Sequence, residues 1–413
     1  MSELTGTRWL IIADDLTGAA DAAVAFAQRS TDCRVLCGET SPNPPDADVL
    51  ACTLDSRGAD VATAIERSEA VLLRYGHSDR RLFKKIDSIL RGHPGEEIAA
   101  ALRFRSRHSG RAFGLLAPAF PATGRTTING HVHVNGRPLE PAPEGEHGIA
   151  SSDLVEVLAR ARLRGAVIPI EVVRDCVALE RALRHHQHRG DVAICDAMEQ
   201  TDLEKIARIG LAIEETVFIG SAGLARAIAS LTTAEKNPAL SIAHRTTPVL
   251  TIIGSQASAS HGAVRRLAHD PMVFSVALDE RSFAPPAALH TEHRIRAAAD
   301  ALRAGRDVLI YMEPSSEPQL SIGARVAHNL AAMTTSLLPH AGSLIASGGD
   351  TATALFAHAG VHSLRLLDEF EPGISLGMTA GDVSIPVITK SGSFGDEECL
   401  LRIAHHLHML SDT

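Results

Sequence analysis

Short apolar runs alternate with helical stretches along almost the whole chain, and that alternation constrains the fold more than any other feature. Residues 8–13 are a β-rich run, 14–18 a turn and 19–29 an Ala-rich helix. Runs at 33–37 and 49–54 read as the next strands, with the Pro-rich segment 41–45 between them, and 61–75 as a helix. Residues 81–83 and 113–117 are further strands, and a helical pattern resumes at Glu96. Strands alternating with helices build mainly parallel sheets covered by helices. Aromatics are only 3% of the chain, with one Trp, so the cores must be made of Ala, Leu, Ile and Val, which suits α/β layers.

At 413 residues the chain exceeds one compact domain, and two are expected. Residues 124–148, rich in Gly, Pro and His, interrupt the alternation and read as an inserted hairpin or flap. It returns with helices at 152–164 and 177–188, strands at 166–169, 192–196 and 217–219, and a Gly220–Leu224 turn. Residues 231–247 are polar and without period, and read as a linker between an amino-terminal domain, 1–230, and a carboxy-terminal domain, 248–413. Strands at 249–253, 273–278, 308–312, 343–346 and 387–389 follow, with helices such as 293–304 and 322–337. The expected class is two α/β domains with mainly parallel sheets facing an interdomain cleft.

A net charge of -9, from 40 basic and 49 acidic residues, argues against a nucleic-acid binder that works through phosphate contacts. The first apolar run ends in two aspartates and is too short for a signal sequence or a membrane span. Six scattered cysteines form no CxxC pair, so free thiols and cytoplasmic residence are expected. The 21 histidines include clusters at 185–188 and 405–408 that lack nearby Cys or carboxylate partners and read as exposed helix residues rather than metal ligands, and the metal ligands are unassigned.

Polar residues crowd the predicted strand ends, where open α/β sheets bind ligands. Lys84–Gly92 holds two ammonium groups, a carboxylate, a hydroxyl and a guanidinium. Its cations suit an anionic substrate, Arg91 could grip a carboxylate through two hydrogen bonds, and Asp87 could accept a proton. Asp14-Asp15 ends the first strand. Helix capping accounts for one of the two; the other could hold a hydroxyl, act as a base or ligate Mg2+. Asp55-Ser56-Arg57 ends another strand at the same sheet edge, where Arg57 could pair with a carboxylate. The 118–127 segment could bring Arg125 over the cleft. In the second half three Gly/Ser turns each follow a strand: 254–258, 348–351 and 390–395. Such turns let backbone N–H groups reach phosphates. No Walker A, GxGxxG or protein-kinase signature occurs, which also disfavours a dehydrogenase.

Together these segments resemble the four-carbon acid sugar kinases. The match runs through ADDLTGAADAA at 13–23, DSRG at 55–58, KKIDSILRGHPGEEI at 84–98 and APAFPATGRTTINGHVHVNGRPL at 117–139. It continues through GSAGLA at 220–225, GSQAS at 254–258, GGDTA at 348–352, EPGISLG at 371–377 and TKSGSFGDEECL at 389–400. The resemblance implies ATP-dependent phosphorylation of the terminal 4-hydroxyl of a tetronate, with the acid in the amino-terminal domain and ATP in the carboxy-terminal one. It implies acid-sugar contacts from Asp14 or Asp15, Arg57, Lys85, Ile86, Asp87 and Ser88. It implies ATP contacts from Ser255, Gly348, Gly349, Asp350, Thr351 and Gly392. Asp14, Asp15 or Asp87 would be the catalytic aspartate, and Mg2+ would bridge the phosphates. Where the family often reads LRGN, this chain has His93-Pro94. The KKIDS form is similar to the threonate and erythronate branch, with D-threonate the first expectation and D-erythronate the second. Closure about the linker would exclude water. A homodimer is left open, and a non-catalytic sugar-acid binder is the reading from another class.

Overall fold

The computed structural model describes residues 7–29, 31–38, 45–76, 79–141, 151–232, 242, 246–255, 257–285, 287–314, 320–392 and 394–411. The chain divides into two compact units, 1–34 with 45–237 and 35–44 with 238–413. Most of the expected linker, the Pro-rich 41–45 segment except its last residue, and the last part of the expected flap lie outside the described residues.

The first unit opens with β1 (Arg8–Ala13), α1 (Leu16–Ala27), β2 (Cys33–Leu36), whose last two residues fall to the second unit, β3 (Val49–Thr53) and α2 (Val61–Tyr75). β4 (Arg80–Lys85), α3 (Pro94–Ser109) and β5 (Phe113–Ala117) follow. A small antiparallel sheet comes next, made of β6 (Arg125–Ile128), β7 (His131–Val134) and β8 (Arg137–Pro138). The rest is α4 (Leu154–Arg160), β9 (Gly165–Ile168), α5 (Ile170–Arg174), α6 (Cys176–Arg189), β10 (Val192–Cys195), α7 (Gln200–Leu211), β11 (Thr216–Gly220) and α8 (Ala222–Thr232).

The main sheet runs β3-β1-β4-β11-β5-β10-β9, parallel throughout, with β2 beside β3. The single Trp sits under its centre: the Trp9 ring lies 5.8 Å from Phe26 and 5.7 Å from Phe218. Because the strands are parallel and in register, Thr53, Ala13, Lys85, Gly220 and Ala117 end five neighbouring strands side by side. The turns that follow them therefore share one sheet edge, as ligand sites of open α/β sheets require.

The second unit contains β12 (Val249–Ile253), α9 (Ser258–Ala268), β13 (Phe274–Leu278), α10 (Ala287–Arg303), β14 (Val308–Met312) and α11 (Leu320–Thr334). Then come β15 (Ser343–Ser347), α12 (Gly349–His358), β16 (Val361–Glu371), β17 (Ile374–Gly381), β18 (Pro386–Lys390) and α13 (Cys399–Ser411). Its strand order is β13-β14-β12-β15-β18-β17-β16. The first five are parallel, whereas β17 runs antiparallel to both β18 and β16. The β16–β17 hairpin is absent from the sequence-based expectation. It turns at Pro372-Gly373, where Gly373 has φ +82°, the positive value that the third residue of a type II turn needs. Among the described residues no helix is long and apolar enough to cross a membrane. All six cysteines are free thiols.

Lys84 and Lys85 both belong to β4 rather than to the loop after it. Successive strand residues point to opposite faces. Lys84 meets Glu97 of α3, Nζ to Oε2 2.6 Å, both side chains only 1% exposed. Ser56 Oγ donates to the other Glu97 oxygen at 2.5 Å, and Lys84 Nζ to the Ile12 carbonyl at 3.3 Å. This buried pair ties α3 to the ends of β1, β3 and β4. Removing one member leaves the other charge buried and unpaired, so Glu97→Ala is expected to cost about 3–5 kcal/mol in urea unfolding. A loss below about 1 kcal/mol, the range of exposed ion pairs, would contradict this account of the pair.

Candidate active site

In the first unit Arg57, from the turn after β3, lies between the aspartates that follow β1. Its Nε donates to Asp14 Oδ2 at 2.7 Å and its Nη1 to Asp15 Oδ2 at 2.6 Å, while Nη2 stands 3.7 Å from Asp87 Oδ1. Burial opposes the Arg57 charge, but the three carboxylates hold its pKa well above the ordinary arginine value. Arg57, expected to meet a substrate carboxylate, is bonded here to two of the protein's own aspartates.

The aspartates divide their work. Asp15 caps α1, accepting from Gly18 N at 2.8 Å, and also accepts from Thr17 Oγ1 at 2.8 Å. Asp87 is gripped by Arg91 through two bonds, Nε and Nη2 each at 2.8 Å, and accepts from the Arg91 amide at 3.3 Å. Arg91 thus holds a carboxylate in the bidentate way expected of it, but the carboxylate is the protein's own. Burial pushes the Asp87 carboxyl up, yet Arg91 and Arg57 outweigh it and hold it well below the usual carboxylate range. Asp14 is also buried, and Arg57 again outweighs burial and keeps it ionised. Of Asp14, Asp15 and Asp87, only Asp14 has an oxygen to spare: its Oδ1 is buried with no hydrogen-bond partner among the described residues.

Lys85 faces α1, opposite to Lys84. It is 4% exposed. Its Nζ donates to the Ile86 carbonyl at 2.9 Å, and among the described residues no carboxylate lies within ion-pair distance. A buried ammonium with one neutral acceptor and two further N–H donors is incompletely satisfied. Ile86 and Ser88 are buried beside it, the Ile86 amide donating to the Gly220 carbonyl at 2.9 Å. His93 Nε2 donates to the Ala59 carbonyl at 2.6 Å, and so steadies the loop that carries Arg57.

Two further segments act as supports. Ser221 Oγ donates to the Ala119 carbonyl at 2.8 Å, so the Gly220 turn packs on the end of β5. The β6–β7 hairpin is anchored rather than loose: the amides of Asn129 and Gly130 donate to Asp196 at 2.7 and 2.9 Å. Arg125 stands near enough to Asp87 and Arg91 to feel their charges.

In the second unit β12, β15 and β18 are neighbours, with Ile253 opposite Ser347 and Ser347 opposite Lys390. The three Gly/Ser turns therefore lie together. Gly348 has φ +104°, strained for any other residue. A Cβ on Gly254 would collide with Thr351 Oγ1, and one on Gly392 with Ser255 Oγ. Ser260 Oγ donates to the Gly392 carbonyl at 3.0 Å, and Gly348 N to the Lys390 carbonyl at 3.0 Å. Neither α9, entered from Ala257, nor α12, entered from Gly348, has a side-chain cap. Among the described residues no side chain takes their first amides, the arrangement in which helix N-termini bind anions. Thr351 is buried and Gly349 half-buried, while Asp350 is exposed on the first turn of α12. Gln256 and Ser393 lie outside the described residues.

Two residues inside the sequence motifs, Lys390 and Asp21, are not among the expected site residues. Lys390 ends β18 as Lys85 ends β4: it is 1% exposed, its Nζ donates to the next carbonyl, Ser391, at 3.1 Å, and burial lowers its pKa. Strand-end position was the available signal. Asp21 lies inside α1 and is buried beside the aspartate cluster.

The family described as "Sugar-binding N-terminal domain" matches residues 9–228, and that described as "Nucleotide-binding C-terminal domain" matches 250–400. A D-threonate kinase from Cupriavidus necator is 36% identical over 95% of this chain and 96% of its own length. A second D-threonate kinase, from Bordetella bronchiseptica, is 32% identical with the same coverage. The chain belongs to the four-carbon acid sugar kinase family. A solved structure from Salmonella typhimurium, described as a tRNA synthase, superposes with a TM-score of 0.79 over 96% of this chain and 98% of its own. At 20% identity that likeness speaks to the fold alone.

The sign of the Asp87 shift gives a pH prediction. A carboxyl whose folded pKa is depressed stabilises the fold fully above its unfolded value, near about 3.9, and loses that contribution as pH falls below it. Asp87→Asn is therefore expected to be less stable than the parent at pH 7, with the gap shrinking below about pH 4 as both are unfolded in urea. A gap that stays constant with pH would show that the Asp87 charge is not the stabilising element.

Proposed function

We propose that this kinase transfers the γ-phosphoryl group of ATP to the 4-hydroxyl of a four-carbon sugar acid, D-threonate by preference and D-erythronate as the alternative. One observation carries the reading: among the described residues, a buried Lys85 ammonium without a carboxylate partner shares a site with a buried Asp14 oxygen that lacks a donor. A hydroxy acid supplies both missing partners. The names of the relatives support the tetronate class, and the D-threonate kinases among them are the more similar to this chain.

In this scheme Lys85 meets the substrate carboxylate, and Asp14 Oδ1 accepts a hydrogen bond from a substrate hydroxyl. Arg57 acts through Asp14 and Asp15, orienting both and keeping Asp14 ionised. Asp87 and Arg91 shape the loop that presents Ile86 and Ser88. The nucleotide phosphates would meet the amides at Ser255, Gly348–Thr351 and Gly392, with Lys390 supplying positive charge. The 4-hydroxyl oxygen bonds to the γ-phosphorus as the bond to the ADP oxygen breaks, and the hydroxyl proton passes to the Asp14 carboxylate that accepts its hydrogen bond. Such transfer is loose, so positioning and charge matter more than a strong base, and an aspartate of low pKa is adequate. Among the described residues no group of three or more His, Cys, Asp or Glu side chains forms a metal site. Mg2+ usually keeps waters and substrate phosphates as ligands, and here it would enter with the nucleotide.

Coupled ADP release with D- and L-threonate, D- and L-erythronate and 3-oxo-tetronates tests the reading. Turnover confined to one tetronate is expected; none from folded, ATP-binding protein would move the substrate outside this class. Lys85→Ala should lose at least about 2–3 kcal/mol of transition-state binding, read from kcat/KM, and near-parental turnover would sink its role. Gly348→Ala should raise the KM for ATP while leaving that for the acid unchanged; equal effects on both would place Gly348 outside the nucleotide site.

A further inference from the structure

Asp21 has no architectural reason to be where it is. α1 is twelve residues long, all of them buried, and Asp21 is its one ionisable side chain. It lies well past the first turn, so it caps nothing. It is 6% exposed, and its Oδ1 is sealed from solvent with no hydrogen-bond partner among the described residues. Buried polar groups without partners cost stability, and each one in a native protein calls for an explanation. An apolar residue would suit this helix better.

Its surroundings supply the explanation. Gly18, three residues earlier, lies on the same helix face. A Cβ built there would stand 3.2 Å from Lys85 Nζ, so this face of α1 looks onto the lysine. Lys85, Arg226, Asp15 and Asp87 all act electrostatically on Asp21. Burial pushes its carboxyl above the usual range, with Lys85 and Arg226 pulling the other way. The site thus holds a second orphaned carboxylate oxygen besides that of Asp14, while Arg57 and Arg91 are spent on Asp14, Asp15 and Asp87.

We propose that Asp21 is a specificity-determining residue of the sugar-acid site, its carboxylate accepting a hydrogen bond from a secondary hydroxyl of the bound acid. The proposal rests on the kinase reading and extends it. An anion held by Lys85 fixes one end of the substrate, and Asp14 and Asp21 then count its hydroxyls. A site built to pair with a hydroxyl rejects the analogue that lacks it, because a buried acceptor is left empty. An unsubstituted short-chain acid would satisfy Lys85 and leave both aspartates unpaired.

The test pairs protein and ligand deletions. Asp21→Leu removes the acceptor at similar size, and Asp21→Asn keeps one. Each is assayed by ADP release with D-threonate, 2,4-dihydroxybutanoate and 3,4-dihydroxybutanoate, and each apo protein is melted. The parent is expected to lose roughly ten- to hundredfold in kcat/KM when the relevant hydroxyl is absent, the worth of a hydrogen bond to a charged group. Asp21→Leu should lose as much with D-threonate and no more with that one deoxy acid, since both deletions remove the same bond. Asp21→Asn should recover part of the loss, the KM for ATP should not move, and apo Asp21→Leu should melt no lower than the parent. Losses that add for both deoxy acids would overturn the proposal. So would a variant that fails to fold or melts well below the parent, which would assign Asp21 to the architecture. A parent that turns over no tetronate would refute the kinase reading and this proposal with it, whereas an active parent with additive losses refutes this proposal alone.

Discussion

The Arg57 guanidinium is the interaction on which the first unit's site depends. Parallel strands bring Asp14, Asp15 and Asp87 to one sheet edge, and three buried carboxylates cannot share that edge unopposed. Arg57 bonds two of them and stands near the third. Without it the group would take up protons or the strand ends would separate. With it, Asp14 stays ionised while one of its oxygens remains uncommitted. Positioning and charge state come from the same contact.

The two adjacent lysines of β4 show how a pleated strand divides one kind of residue between two tasks. Lys84 is neutralised by Glu97 in the core, where the pair fixes α3 against the sheet. Lys85, on the other face, is buried and donates only to a neutral acceptor, the Ile86 carbonyl, among the described residues. The second unit works with backbone rather than side chains. α1, α2, α4 and α6 of the first unit are capped by Asp15, Asp60, Asp153 and Asp175. α9 and α12 of the second unit carry no such cap. An aspartate there would occupy the amides and repel phosphate.

Much of this was legible in the sequence, because strand–helix alternation places the polar motifs at strand ends before any contact is known. The clustering of the three glycine turns was less so, since it depends on β12, β15 and β18 being neighbours. The bonds of Arg57 to Asp14 and Asp15 are not legible in the sequence, because these partners lie 43 and 42 positions away in the chain. Lys84 and Lys85 were taken together because the strand was ended too early, at Phe83. The β16–β17 hairpin was hidden by register shifts that break its alternation near Val361, Leu366 and Glu369. Its Pro-Gly turn was the signal that could have found it. Asp21 was lost in an Ala-rich helix, although a lone carboxylate on a wholly apolar helix was itself informative.

The central claim is that an unpaired buried ammonium recognises the substrate's carboxylate. Calorimetric titration of the parent protein and of Lys85→Met with D-threonate and with the matching tetritol, which has the hydroxyls but no carboxylate, tests it most directly. The account predicts that the parent binds the acid much more tightly than the polyol, and that Lys85→Met removes the difference. Equal binding of both ligands by the parent, or a preference for the acid that survives the loss of Lys85, would contradict it.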